Sequence, residues 1–273
     1  MKLDRVTITG ADAYTDPEDL MALSQEYGFV EWGILFSSRR EGTTRYPPRP
    51  WLLELDKVVE RSQRKPLLSA HLCGRYMRDF VRDGNIVWWR EYGFLARWFN
   101  RVQLNMGGYT PADAWENLDL FLASFEPKQD IIIQVHDNDQ WAKPLCQERG
   151  TFPLFDASGG QGIMPATWEA PWPASPTRLA SISPRIYTGY AGGIAPDTIH
   201  EALTKLDQIV PVTARIWIDM EQGVRTGDYL NLDKVRTVLD ACARHVWNTS
   251  MGIINDPSIW MDKPEDNEGD DSE

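Results

Sequence analysis

An apolar strand runs into a glycine-rich turn at Phe155-Asp156-Ala157-Ser158-Gly159-Gly160-Gln161-Gly162. The end of the strand directs one carboxylate toward a pocket. Glycine has no Cβ, so the turn lets backbone N–H groups approach a ligand closely and surround an anion. Similar junctions follow at Tyr187 to Gly193 and at Trp217 to Gly223. The repetition predicts parallel strands whose carboxyl ends share one functional face.

Outward from this stretch, short apolar segments with strand character alternate with helical patterns along the chain. The predicted strands are Arg5–Thr9, Val30–Phe36, Pro66–His71, Arg101–Leu104, Asp130–His136, Phe152–Phe155, Ile186–Gly189 and Arg215–Met220. The predicted helices are Pro17–Tyr27, Pro50–Arg61, Trp89–Trp98, Pro111–Ser124, Asp139–Glu148, Pro196–Leu206 and Asn231–Val246. Several strands are uninterrupted apolar runs, as expected in a covered parallel sheet. This order predicts an α/β fold, a (β/α)8 TIM barrel, with an open doubly wound sheet as the alternative.

The chain has 273 residues, of which 42% are hydrophobic, and this suits one large domain. We expect residues 1–261 to form the barrel. Residues 262–273 are almost all acidic or small and predict a disordered tail. The segment Ala166–Ser183 contains three prolines and is expected to replace or decorate the sixth crossover.

The composition of the chain argues against some classes of binding partner. The net charge is −12 and no lysine- or arginine-rich run offsets it, which argues against nucleic acid. No apolar run approaches the roughly 20 residues that span a bilayer, so no membrane is expected. The spacing of the three cysteines fits neither a metal site nor a redox motif: they are Cys73, Cys146 and Cys242. With no signal peptide, this cysteine usage predicts a cytoplasmic protein. The expected partner is a small-molecule ligand; the oligomeric state is left open.

In a barrel of this kind the reactive face lies at the carboxyl ends of the strands. The rule selects Thr9, Asp12, Arg39 to Arg45, His71, Cys73, Asn105, His136, Asp137, Asp139, Asp156 with its glycines, Gly192, Gly193 and Asp219 to Gly223. The run His136-Asp137-Asn138-Asp139 suggests a metal site, but one histidine beside acidic residues at a helix start is more simply a capping arrangement. We therefore predict no metal and no cofactor.

The order of motifs resembles phosphoribosylanthranilate isomerase of tryptophan biosynthesis. The similar segments are Val6-Thr7-Ile8-Thr9-Gly10, Asp16-Pro17-Glu18-Asp19, Arg45-Tyr46, Val102-Gln103-Leu104, Leu154-Phe155-Asp156 with Gly159-Gly160-Gln161-Gly162, Ala191-Gly192-Gly193-Ile194-Ala195-Pro196-Asp197, and Ile218-Asp219-Met220-Glu221-Gln222-Gly223-Val224. The likeness covers nearly the whole chain except the tail and the extended third and sixth crossovers.

The resemblance implies an Amadori rearrangement of a phosphoribosyl amine. It implies that Asp156 is the general acid and that Arg45 holds a substrate carboxylate. The implied ligand site includes Gln103, Asn105 and Asp219, with the phosphate on Gly159, Gly160, Gly162, Gly192, Gly193 and Gly223. The family's general base is a cysteine at the end of the first strand.

The chain departs from that pattern at the base, because Thr9 occupies the cysteine position and a hydroxyl is a very weak base near neutral pH. Two replacements are considered. Cys73 follows the third strand, where Arg75 is a candidate to lower its pKa, and the alternative is that Cys73 is a small buried hydrophobic residue. Asp12 lies just past Thr9, where a capping role is the alternative.

A second departure is Glu221-Gln222 in place of the family's Ser-Ser. A carboxylate near a phosphate is repulsive unless Arg225 offsets it. Alternatively, Glu221 bonds ribose hydroxyls or an amine, so a phosphorylated ligand stays an open question.

Three functional hypotheses remain. The first is an isomerase or lyase acting on a small sugar-like or nucleotide-like substrate, with Asp156 as acid and Cys73 or Asp12 as base. The second is a non-catalytic small-molecule binding protein that has lost the base. The third is a genuine phosphoribosylanthranilate isomerase with a relocated base.

Overall fold

The computed structural model describes residues 2–83, 87–105, 129–136, 142–149, 151–156, 162–172 and 187–246. Eight parallel strands pair in chain order, and the last pairs with the first, which closes a barrel. They are β1 (Lys2–Thr9), β2 (Val30–Phe36), β3 (Leu67–Leu72), β4 (Arg101–Leu104), β5 (Asp130–Val135), β6 (Phe152–Asp156), β7 (Tyr187–Ala191) and β8 (Arg215–Met220). Closure confirms the predicted TIM barrel and excludes the open sheet.

Helices lie between the strands. The described helices are α1 (Pro17–Glu26), α2 (Arg49–Arg61), α3 (Arg75–Asp83), α4 (Val87–Ala96), α5 (Ala142–Arg149), α6 (Ile199–Ile209) and α7 (Leu232–Ala243). After β8 come a 3-10 helix at Gln222–Val224 and a short hairpin of β9 (Arg225–Thr226) and β10 (Tyr229–Leu230).

The sequence located most elements, and the differences have local causes. β2, β4 and β8 have the predicted bounds. α6 begins at Ile199, not Pro196, because residues 196–198 belong to a turn. The Thr198 N–H donates to the Ala195 carbonyl, and the Thr198 hydroxyl donates to the Gly193 carbonyl. The sequence pattern does not predict helix α3. Its many charged residues suggest an exposed segment, although Tyr76 and Met77 are buried.

Some predictions fall on residues outside the described ranges. These are the helix Pro111–Ser124, the start of the helix Asp139–Glu148, the latter part of Ala166–Ser183 and the tail 262–273. The described part of the sixth crossover, residues 162–172, contains no helix. Within the described ranges, no helix is long and apolar enough to cross a lipid bilayer.

The lower half of the barrel interior, toward the amino ends of the strands, is filled by an ion-pair network. The carboxylate of Glu31 (0% exposed) accepts hydrogen bonds from Arg101 (1% exposed), from Arg5 at 3.0 Å and from the Thr7 hydroxyl at 2.9 Å. The Arg101 guanidinium stacks over the Trp217 ring at 4.4 Å. Every charge here has an opposite partner, which buried charges require.

Candidate active site

Two carboxylates stand at the same height in the upper half of the barrel. Asp156 ends β6 and pairs in register with Ala191 of β7, and Ala191 pairs in register with Asp219 of β8. Neighbouring strands lie about 4.8 Å apart, so the two Asp Cα atoms are roughly 10 Å apart. The small Ala191 side chain between them leaves the space above β7 open to a ligand.

A cavity of about 430 Å³ opens at this end of the barrel. Its size suits a small polar molecule. Most of the predicted site residues line it: Thr9, Arg45, Cys73, Gln103, Asn105, Asp156, Gly162, Gly192, Gly193, Asp219, Glu221 and Gly223. Gly159 and Gly160 lie outside the described residues.

The carboxyl group of Asp219 lines the cavity and is buried at the end of β8. Burial raises its pKa to about 7, while the hydrogen bond from Thr9 acts to lower it. The Thr9 hydroxyl donates to Asp219 Oδ1 at 2.7 Å. A carboxyl group that titrates near neutrality can accept or donate a proton at the working pH, which is what acid–base catalysis needs.

His71 completes a polar cluster with Thr9 and Asp219 around Gly33. A Cβ on Gly33 would lie 2.3 Å from Thr9 Oγ1 and 2.9 Å from His71 Nε2, so only glycine fits between them. Burial lowers the pKa of His71 to about 3, and the ring is uncharged near neutral pH. His71 Nε2 is buried and has no hydrogen-bond partner among the described residues.

Asp156 is held in place by strand β5. The Gln134 side-chain amide donates to Asp156 Oδ2 at 2.7 Å, and His136 Nδ1 lies 2.9 Å from the Asp156 carbonyl oxygen. Gln134 and His136 also line the cavity. Gln134 is not among the residues selected from the sequence, although strand alternation along β5 is a signal for its inward position.

Cys73 is held as a thiol rather than a thiolate. Burial raises its pKa to about 11, against a hydrogen bond from the Asn105 amide at 2.9 Å. The Gln103 amide in turn donates to Asn105. The expected effect of Arg75 is wrong, because Arg75 pairs with Asp79 at 3.0 Å. The role of Cys73 as the base therefore loses its physical basis.

Asp12 and Arg225 form a buried ion pair outside the cavity lining. Arg225 donates to Asp12 Oδ2 at 2.8 Å, and each side chain is 2% exposed. Arg225 also donates to the carbonyl oxygens of Gly10 and Asp228, and Asp12 accepts from the Leu230 N–H. This pair joins the loop after β1 to the β9–β10 hairpin. The geometry favours the structural alternative for Asp12 over the role of base.

Arg45, not Arg225, offsets the charge of Glu221. Arg45 donates to Glu221 Oε1 at 2.5 Å, and both side chains are about one-quarter exposed. Arg45 has a φ of 75°, a conformation that is uncommon for residues other than glycine. Because its charge is already paired, Arg45 is less available for a substrate carboxylate than the sequence suggests.

The loop glycines bring the loops after β6, β7 and β8 together. A Cβ on Gly223 would lie 2.2 Å from the Ile194 carbonyl oxygen, and one on Gly193 would lie 2.1 Å from the Met164 nitrogen. The φ angles of Gly162, Gly192 and Gly193 are 69°, 103° and 65°. These glycines are therefore required by backbone packing. The Gly193 N–H forms no hydrogen bond within the described part of the chain.

Gln222, which the strand-end rule selects, lines the cavity, and so does Tyr46, which the sequence does not single out as a binding residue. Tyr46 adjoins Arg45, but a one-dimensional pattern does not show which neighbour faces the cavity. No cluster of three metal-ligating side chains occurs among the described residues, and Asp137 and Asp139 lie outside them.

At the level of sequence, no protein family model and no curated protein matches the chain. Solved structures do match. TrpF from Jonesia denitrificans superposes with a TM-score of 0.54 at 18% identity over 88% of this chain and 96% of that one. N-(5'-phosphoribosyl)anthranilate isomerase from Pyrococcus furiosus gives 0.51 at 14% identity over 88% and 98%. The chain is thus a (β/α)8 barrel with the fold of phosphoribosylanthranilate isomerase structures.

Proposed function

We propose that the protein is an isomerase or lyase that moves protons on a small sugar-like or nucleotide-like molecule, with Asp156 as general acid and Asp219 as general base. The observation that carries the proposal is the pair of carboxyl groups in one layer of the barrel. Asp219 takes the place of Cys73 and Asp12 as the base.

Asp219 suits the task of the base because its pKa of about 7 is high for a carboxyl group. A base with a higher pKa accepts a proton more readily, provided that it is ionised at the working pH. In the forward direction the Asp219 carboxylate takes a proton from the substrate. Asp156 delivers one to an oxygen on the other side of the reacting bond. Thr9 holds Asp219 through the 2.7 Å hydrogen bond and needs no chemistry of its own.

A mixture of metabolites serves as the substrate pool for testing this assignment. Purified protein is incubated with a metabolite extract in D2O, and products are identified by mass spectrometry. Asp156→Asn and Asp219→Asn variants are matched controls, since each removes one ionisable group with little change of shape. We expect the wild type to convert a metabolite into an isomer or into fragments, with deuterium from the solvent in the product, and both variants to lose turnover.

The pH dependence separates the two carboxyl roles. If Asp219 is the base, kcat/KM rises with pH around a midpoint near 7, and Asp219→Asn abolishes the turnover that shows this limb. A rate that falls as pH passes 7 would instead make Asp219 the acid.

The binding-protein alternative is favoured by one observation, namely the threonine at the position of the family's base. It predicts that a molecule co-purifies with the protein and is recovered unchanged after long incubation. Phosphoribosylanthranilate is included in the assay as a defined compound. Turnover of it would favour the third hypothesis, a genuine isomerase of that substrate with Asp219 as the relocated base.

A further inference from the structure

A second cavity adjoins the first on the side of β2 and β3. It has a volume of about 360 Å³ and shares Arg40, Tyr46 and Cys73 with the main cavity. Among the described residues its lining contains no carboxylate but four arginines: Arg39, Arg40, Arg75 and Arg78. We refer to it as the arginine pocket.

The charges of the arginine pocket are mostly uncompensated. Arg75 pairs with Asp79. No carboxylate in the described ranges forms an ion pair with Arg39, Arg40 or Arg78; Arg40 lies over the Tyr46 ring at 5.7 Å. Positive charges that line one pocket repel one another, and an anion bound among them relieves that repulsion. Water screens part of it, because Arg39, Arg40 and Arg75 are exposed and only Arg78 is half-buried.

The concentration of positive charge in the arginine pocket contrasts with the negative net charge of the whole protein. The net charge is −12, so the molecule as a whole repels anions, and an anion bound here has to be held by local contacts. Helix α3 also begins at this pocket, since Gly74 and Arg75 line it. The amino end of a helix carries partial positive charge and unpaired N–H groups.

The number of guanidinium groups favours a dianion over a single carboxylate. A phosphate monoester carries between one and two negative charges near neutral pH and has three acceptor oxygens. Arginine matches that geometry with paired N–H donors. In the main cavity, Glu221 cancels the charge of Arg45, so this pair adds no excess positive charge there.

We infer that the arginine pocket binds a phosphate monoester group of the molecule whose reacting part lies between Asp156 and Asp219, an inference that rests on the proposed function. In this arrangement the phosphate lies on the β2–β3 side of the barrel. The loops after β6, β7 and β8 then receive the uncharged end of the substrate.

The test uses inorganic phosphate as the probe at constant ionic strength. Binding is followed by NMR through the arginine side-chain Nε–H signals and the backbone amides. We expect phosphate to shift the signals of Arg39, Arg40 and Arg78. Arg39→Gln and Arg78→Gln should each weaken binding about tenfold, the effect of losing one charge-assisted hydrogen bond. Arg90→Gln is the control, because Arg90 is an exposed arginine that lines neither cavity.

Equal losses of affinity in all three variants would overturn the inference, since they would reflect only general charge. Phosphate-dependent shifts at Gly193 and Ile194 without shifts of the arginines would also overturn it. The Asp219→Asn variant should bind phosphate as the wild type does. If it does so while the wild type turns over no metabolite, the phosphate site stands and the proposed function fails.

Discussion

The two halves of the barrel interior both contain buried ionisable groups and differ in how those groups are paired. In the lower half, Glu31 is surrounded by Arg101, Arg5 and Thr7, and each charge in this group faces an opposite charge. In the upper half, Asp219 accepts a hydrogen bond from the Thr9 hydroxyl, and His71 Nε2 has no partner among the described residues. The charged groups of the lower half are paired within the protein, whereas the upper half presents the Nε2 of His71, unpartnered in the described part of the chain, to the cavity, where a ligand can satisfy it.

The largest change in the free energy of unfolding is expected from a substitution in the lower half of the barrel interior. Arg101→Met removes the main partner of Glu31 and leaves a buried carboxylate, which should lower the free energy of unfolding by about 3 to 5 kcal/mol. Urea denaturation measures it. Arg97→Met is the matched control: its side chain is 51% exposed and pairs with Asp56 and Glu60. A change below about 1 kcal/mol is expected there. Equal effects of the two substitutions would contradict the described network.

Asp219→Asn should raise the free energy of unfolding, whereas Arg101→Met lowers it. The folded pKa of about 7 lies above the ordinary value, so protonation favours folding. The contribution of Asp219 is fully present below about pH 4 and is lost as pH rises through about 7. The variant should therefore be more stable than the wild type at pH 8, by about 2 to 4 kcal/mol, and equally stable near pH 4. A constant difference across this range would show that Asp219 titrates normally.

Thr9→Val tests the hydroxyl donor to Asp219. The Thr9 hydrogen bond acts to lower the pKa of Asp219, so its loss should raise that pKa further. We expect a loss of about 1 to 2 kcal/mol in the free energy of unfolding at pH 8, and a smaller loss at pH 5 where Asp219 is protonated. Thr9→Ser keeps the hydroxyl and is the control. Identical pH profiles for the two variants would exclude the hydroxyl as the cause.

Glu221→Gln should have the smallest effect on stability. The ion pair with Arg45 is partly exposed, and such pairs contribute at most about 1 kcal/mol. The substitution releases the Arg45 charge into the main cavity. Phosphate should therefore gain a second, weaker site near Arg45, which the same NMR titration detects. Unfolding that is more than about 2 kcal/mol easier would mean that the pair is structural.

The sequence predicts the barrel because fold class depends on periodicity, and β2, β4 and β8 have apolar runs with clear ends. It also locates the site, because the carboxyl ends of parallel strands meet on one face. It does not predict how side chains pair across the barrel. Thr9 and Asp219 are 210 positions apart, and Arg45 and Glu221 are 176 apart.

Those long-range pairs change the interpretation of individual residues. The sequence suggests Arg225 as the partner of Glu221, but Arg225 pairs with Asp12, and neither residue of that pair lines the cavity. The sequence also places Asp219 among the binding residues only. Its raised pKa follows from burial, which no local sequence pattern reveals.

The titration of Asp219 tests the central claim most directly. Carboxyl carbons of 13C-labelled aspartate are followed by NMR from about pH 4 to about pH 9 in the wild type and in Asp219→Asn. We expect one carboxyl signal to titrate with a pKa of about 7 and to be missing from the variant. If the signal that disappears instead titrates near pH 4, Asp219 is an ordinary ionised carboxylate and its assignment as the base is wrong.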